Sequence, residues 1–298
     1  MNVAVLITCF NRREKTCACL SRLFSAMNDF NARNNNTISL EIFLVDDGCT
    51  DGTADAVLSK YPESKIHILK GTGSLFWAGG MRLAWSVAYK QHAKWDFYLL
   101  LNDDTNIFQN AFSILFKTHE YCIENFKTGG VYTAATCLDG NHSICTYGGS
   151  VWTNRFKGTY ERLSPNGKPQ LCDLTNANIL MVSSNVVDSI GMLSNDYQHG
   201  LADFDYSIRA RKNNIPVLVT SEYCGACEND HLLPAEIANK IIGMSLSERK
   251  KYFNSPIHSN KDYIRFIYNT SPFRLPLVWI GRFFNLYFPR FYYKLRNN

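Results

Sequence analysis

Short continuous apolar runs alternate with segments whose apolar positions recur every three or four residues over the first hundred positions. The runs at 3–9, 40–45, 66–69 and 97–101 are rich in β-branched, leucine and aromatic residues and read as strands buried on both faces. Between them, residues 13–28 place Leu20, Leu23, Phe24 and Met27 on one helical face. Asp51-Gly52-Thr53 opens a short helix toward Lys60, and a further helix is predicted over 81–92. Strand, helix, strand in repetition predicts an α/β domain with a mostly parallel sheet flanked by helices. Farther on, the pattern predicts a helix over 110–126, a strand over 178–182, a short helix over 186–190, a helical piece over 206–212 and a late strand over 216–219. The stretch 130–168 is glycine-rich with brief β-like pieces and reads as an antiparallel or loop-rich lobe.

The character changes after about residue 255. From Tyr263 to the end, Arg265, Arg274, Arg282, Arg290, Lys294 and Arg296 are interleaved with Phe273, Trp279, Phe283, Phe284, Tyr287, Phe288, Phe291, Tyr292 and Tyr293, with no acidic residue. Basic and aromatic residues on broken helices predict a segment lying in an anionic membrane interface, so 256–298 is set apart from a domain at 1–255. A helical appendage packed on the domain is the plainer alternative. No apolar stretch approaches the roughly 20 residues of a spanning helix. The N-terminus runs straight into the first apolar run without a basic leader or cleavage pattern, which predicts a cytoplasmic protein, peripheral on the inner membrane face.

Bulk composition adds little. A net charge of +5 over 298 residues does not call for nucleic acid. Ten scattered cysteines predict thiols in a reducing compartment. Cys224 and Cys227 have metal-like spacing but no matching second pair, so they predict ordinary thiols rather than zinc.

The chemistry lies in three acidic clusters: Asp46-Asp47, Asp103-Asp104 and Asp203-Phe204-Asp205. The first two end apolar strands. Adjacent carboxylates at such a place repel one another, and a bound cation with a phosphate-bearing ligand would relieve that repulsion. In open α/β sheets the carboxyl ends of the strands are where ligands bind. Gly71-Thr72-Gly73-Ser74 and Phe76-Trp77-Ala78-Gly79-Gly80 precede the predicted helix at 81, where glycines allow backbone N–H groups to approach an anion.

Four segments then carry a resemblance over about residues 1–230: Ile7-Thr8-Cys9-Phe10-Asn11-Arg12, Leu44-Val45-Asp46-Asp47-Gly48-Cys49-Thr50-Asp51-Gly52-Thr53, Leu100-Leu101-Asn102-Asp103-Asp104 and His199-Gly200-Leu201-Ala202-Asp203-Phe204-Asp205. In this order they resemble the family 2 glycosyltransferases, which have the GT-A nucleotide-diphospho-sugar transferase fold. The stretch from Phe76 to Met81 is further similar to bacterial members that build surface polysaccharides such as lipopolysaccharide, O-antigen or capsule, including rhamnosyltransferase-like ones. The resemblance implies a nucleotide-binding half over about 1–105 and an acceptor half over about 106–230. It also implies a nucleotide-sugar donor (UDP- or dTDP-linked), a divalent cation (Mg²⁺ or Mn²⁺) and a lipid-linked or lipid-anchored glycan acceptor.

Asp104 is then the metal ligand, with Asp103 near the ribose and helping the metal. Asp47 accepts from the base, and Thr8, Phe10 and Arg12 border the nucleotide. Asn102, at the same strand end as Asp103, is also expected to contact the nucleotide donor, and Arg12 can also meet phosphate. Asp203 is the general base for a single inverting displacement; Asp205 is its rival, better suited to orienting Arg209. Trp77, Gly79 and Gly80 face the donor sugar or diphosphate, with core packing as the alternative for Trp77. Arg82 either reaches phosphate or faces solvent. Asp46 and Asp51 serve the turn and the helix start, and His199 either contacts acceptor or lies at the surface. Two departures stand out: Ala202 replaces an acidic residue that often precedes the base, and Tyr223-Cys-Gly-Ala-Cys227 stands where a metal-ligating histidine often follows the last strand.

Rival enzymes lack their motifs. A sugar-1-phosphate nucleotidyltransferase needs a glycine-rich basic loop after the first strand, and a dinucleotide oxidoreductase needs G-x-G-x-x-G there. Thr8-Cys9-Phe10-Asn11-Arg12 is neither. A non-catalytic protein that keeps the fold to bind a glycan or nucleotide is the remaining alternative.

Overall fold

The computed structural model describes residues 1–62, 65–91, 95–229 and 233–296. The amino-terminal half runs β1 (Asn2–Cys9), α1 (Arg13–Arg33), β2 (Ser39–Asp46), α2 (Thr53–Lys60), β3 (Ile66–Lys70), α3 (Phe76–Lys90), β4 (Phe97–Leu101), β5 (Asn106–Ile107) and α4 (Ala111–Phe126). It continues with β6 (Val131–Leu138), β7 (Asn141–Tyr147), β8 (Gly149–Asn154), β9 (Thr159–Arg162), β10 (Gln170–Leu171), β11 (Leu174–Thr175), β12 (Ile179–Ser183), α5 (Ser184–Ile190), α6 (Ala202–Lys212) and β13 (Val217–Ala226). Helices α7 (Pro234–Gly243), α8 (Leu246–Asn254), α9 (Asn260–Thr270), α10 (Leu275–Tyr287) and α11 (Pro289–Arg296) follow, with 3-10 turns at Pro256–His258 and Pro272–Arg274.

One sheet carries the domain, in the order β10-β13-β6-β12-β4-β1-β2-β3. Strands β3, β2, β1 and β4 are parallel. Strand β12 runs against both neighbours, β4 and β6, and β13 runs parallel to β6. On one face the sheet buries Leu20 and Leu23 of α1 with Phe112 and Leu115 of α4. On the other it buries Ala84 and Trp85 of α3, Tyr206 and Ala210 of α6 and Phe266 of α9. Covering both faces explains why β1 and β4 read as unbroken apolar runs rather than alternating ones.

Several expected boundaries move. Helix α1 continues to Arg33, because Phe30 still meets the core. Residues 131–138, expected in a loop-rich lobe, form central strand β6. Its threonines hid it: Thr133 donates to the Asn176 carbonyl and Thr136 pairs with the Thr146 hydroxyl, so polar side chains are satisfied in the core. The antiparallel expectation holds for β8, β9 and β11, which form a separate three-stranded sheet. Strand β13 extends past Val219 through Cys224. Cys224 and Cys227 are both buried, Cys227 beside the Asn178 amide, and no cluster of three or more metal-ligating side chains occurs among the described residues. Helices α7 and α8 gather with α11 around Ala238, Ile241, Phe253 and Tyr293, a small core of their own. No described helix is long and apolar enough to cross a membrane.

Candidate active site

Strands β1, β2 and β4 end together, since Cys9 pairs in register with Asp46 and Leu6 with Leu100. The first two acidic clusters thus flank the end of β1. Asp103 is almost fully buried, and Asp104 keeps 14% of its side chain exposed. One nitrogen of Arg12 meets both, 3.1 Å from Asp103 and 2.6 Å from Asp104. Thr16 adds a long contact to Asp103 at 3.5 Å. Burial pushes the Asp103 carboxyl up to about 6, and the Asp104 charge pushes the same way against the opposing pull of Arg12. A guanidinium between two acids marks a place where positive charge is stabilised. The donor set is two carboxylates, hard oxygen ligands that suit Mg²⁺ or Mn²⁺.

Asp47 is buried and accepts the backbone N–H of Gly73 at 2.8 Å and of Phe76 at 3.0 Å. It therefore ties the glycine loop to the end of β2. Asp46 accepts from the Cys49 N–H, a turn contact. Asp51 accepts from the N–H of Arg13 and of Thr53, joining the starts of α1 and α2. Phe10 is 55% exposed at the mouth of this region. Asn102 accepts from the Trp77 indole at 2.8 Å, and its own N–H donates to the Asn178 carbonyl at 3.0 Å.

The expected glycine turn at 79–80 is corrected. Helix α3 begins at Phe76, so Gly79 and Gly80 are buried helical residues rather than an anion loop. A Cβ on Gly80 would lie 2.2 Å from the Thr8 hydroxyl oxygen, so that glycine lets α3 press on β1. Thr8 is thus a packing partner of α3 as well as a residue of the β1 end. Arg82 is partly buried and lines a cavity with Tyr197 and Asp262. It donates to the carbonyls of Ser194 and Tyr197, and burial lowers its pKa. It fastens the loop that leads to α6.

Asp203 lies in the first turn of α6, earlier than the helix was expected to begin. It is partly buried and accepts from the N–H of Ala177 at 3.2 Å and of Phe204 at 2.9 Å. Burial pushes its carboxyl up to about 6, and those N–H groups oppose the shift. No cation pairs with it among the ion pairs of the described residues. Asp205 differs in kind: it is buried, paired with Arg209 at 2.9 Å and accepts from the Tyr197 hydroxyl. The short segment 176–178 joins the two regions, since Ala177 meets Asp203 and Asn178 meets Asn102.

His199 packs edge-on against Phe76, with its Nδ1 buried and unpartnered. Burial lowers its pKa, and nearby His258 and Arg12 lower it further against the opposing pull of Asp262. Tyr160 of β9, which sequence patterning did not single out, packs its ring against Phe204 beside Asp203 and stays 46% exposed. The only sequence signal for it was aromatic character in a strand-like stretch. Left-handed backbone at Asn11, Phe76 and Leu201 borders these groups, and strain of this kind collects at functional sites.

No family model matches the chain, and no curated protein does. Solved structures do. A mannosyltransferase from Pyrobaculum calidifontis, in complex with GDP-Man and Mn²⁺, is 11% identical with a TM-score of 0.53, over 93% of this chain and 73% of that one. S. aureus TarS 1-349 with UDP is 14% identical with a TM-score of 0.55, over 96% and 88%. GalNAc-T7 with UDP, GalNAc and Mn²⁺ is 13% identical with a TM-score of 0.53, over 76% and 43%. At these identities the likeness is one of architecture: the chain has the GT-A glycosyltransferase fold.

Proposed function

We propose that the protein is an inverting glycosyltransferase that moves a sugar from a nucleotide-diphosphate donor to a hydroxyl of a lipid-linked bacterial surface glycan. The observation that carries this reading is the pairing of two unlike acidic sites on a GT-A sheet: a carboxylate pair around a cation, and a partly buried carboxylate held by backbone N–H groups without an ion-pair partner among the described residues. The donor nucleotide lies along the ends of β1 and β2, beside Thr8, Phe10 and Asp47. Arg12 meets the diphosphate. A divalent cation held by Asp103 and Asp104 would supply electrostatic stabilisation of the leaving diphosphate. Asp203 accepts the proton of the acceptor hydroxyl while that oxygen bonds to the anomeric carbon from the face opposite the leaving group. The bond to the diphosphate oxygen breaks in the same displacement, and Asp203 then returns its proton to solvent.

Membrane association rests on the C-terminal segment. Helix α10 buries only Asn285, while Leu277, Trp279, Ile280 and Phe283 are each more than half exposed. Arg282 packs over the Tyr263 ring at 4.3 Å, so Arg290 and Lys294, both exposed, are the free cations with which to test lipid attraction.

The test is a screen of UDP-, dTDP-, GDP- and CMP-sugars with Mn²⁺, Mg²⁺ or EDTA, read as thermal shift and nucleotide release. One nucleotide class stabilising the protein only with metal is the expected result. No shift with any donor would overturn the reading.

A further inference from the structure

The hairpin tip between β8 and β9 carries Phe156, which is 76% exposed, between exposed Arg155 and Lys157. A large aromatic so open to water has no structural use in the described chain. It is not isolated, however. Its ring packs at 5.1 Å against Phe273, itself 55% exposed, at the entrance to α10. Arg274 donates to the Lys157 carbonyl at 3.0 Å. Gly158, in left-handed backbone, allows this, since a Cβ there would lie 2.2 Å from the Arg274 guanidinium. The tip is thus fastened to the turn that opens α10, the helix whose apolar side chains are exposed.

Charge around the tip is predominantly positive. Arg155 and Lys157 flank the aromatic, and residues 263–298 contain no acid. Directly beside the tip, a cavity of about 230 Å³ is lined by Arg155, Arg211 and Lys212, with Trp152 and Ser271, against the single carboxylate of Asp173. Arg155 and Arg211 share that carboxylate at 3.5 and 3.3 Å, so three cations face one acid and the balance stays positive. Exposed apolar side chains beside such an excess of positive charge fit the boundary of an anionic bilayer, where the ring enters the acyl region and the cations meet phosphate.

We infer that the β8–β9 hairpin tip is a second membrane-contacting element, which inserts Phe156 beside α10 into an anionic lipid surface. The inference rests on the membrane-associated reading above and adds a geometric consequence. The same hairpin carries Tyr160 against Phe204, next to Asp203. Three residues lie between Phe156 and Tyr160, a span of at most roughly 13 Å of extended chain. The hairpin thus links the lipid-facing tip to the neighbourhood of the candidate base through Tyr160 and Phe204.

The test uses the full chain with vesicles of phosphatidylcholine alone or with about one third phosphatidylglycerol, read by sedimentation. Phe156→Glu is expected to weaken binding to the anionic vesicles by about tenfold or more, while the nucleotide-sugar thermal shift is unchanged. If wild-type protein binds the anionic vesicles and Phe156→Glu binds equally, the hairpin is not a contact and the inference fails while the membrane reading stands. If wild-type protein binds neither vesicle, the membrane reading itself fails, and the inference with it. Equal wild-type binding to both vesicles overturns the anionic requirement. Should Phe156→Glu lose the thermal shift, Phe156→Ser at the same open position gives the reading instead, with the same two outcomes.

Discussion

Two carboxylates in this molecule are raised to about 6 by the same cause, burial, and are held in opposite ways. Asp103 has a cation against it in Arg12; Asp203 has only two backbone N–H groups. The first arrangement favours the charged form and attracts cations in exchange. The second leaves a carboxyl whose charge is tolerated but not neutralised, which suits a group that must take up and release a proton. Similar pKa values therefore conceal different chemistry, and the partner distinguishes them.

The strongest way to break this contrast is Asp203→Asn. Transfer should fall by about 10²–10⁴-fold with donor binding intact, measured as product formation beside a nucleotide-sugar thermal shift. Parallel loss of binding would show Asp203 to be structural. In the unsubstituted protein kcat/KM should rise as pH passes through about 6 and level off above it, because only the deprotonated form accepts a proton. Stability should run the other way. A carboxyl raised in the folded state holds its proton longer than in the unfolded chain, so its contribution is favourable at low pH and is lost between about 4 and 6 as pH rises. Asp203→Asn should then raise the neutral-pH Tm by about 2 °C while abolishing activity.

Arg12→Ala sharpens the other side. It removes the cation that already occupies the gap between Asp103 and Asp104. Mn²⁺ added without nucleotide should bind about tenfold more tightly by calorimetry, because it no longer competes with the guanidinium. Unchanged affinity would mean that the cation and Arg12 do not share those oxygens. The smallest effect concerns packing. Gly80→Ala should cost about 1–3 kcal/mol in chemical denaturation, since its methyl must displace Thr8 at the end of β1.

The sequence was most readable where apolar runs are unbroken. Strand β4 has the expected bounds, and β1 differs by one residue, because burial on both faces leaves no alternation to misread. It was least readable where satisfaction is tertiary. Strand β6 hides its hydroxyls by pairing them with Asn176 and Thr146, and such partners are invisible along the chain. The acidic clusters were evident from composition at strand ends. The Arg12 bridge was not, because it spans 91 residues. Gly80 was misread for a related reason: a glycine that admits a ligand and one that admits a neighbouring strand look alike until the neighbour is known.

Strand β12 has one more consequence. Running backward between β4 and β6, it is hydrogen-bonded to both, so no seam divides the sheet between the Asp103-Asp104 end and the segment that meets Asp203. The two chemical stations ride on one stiff plate. Rotation of one half against the other would tear a ladder on either side of β12. Whatever admits and then encloses a substrate must therefore be light: the glycine loop at 71–75 and the strap at 194–201, which Gln198 ties to the Ser74 carbonyl and Arg82 ties to α3, at the edge of a platform that does not bend.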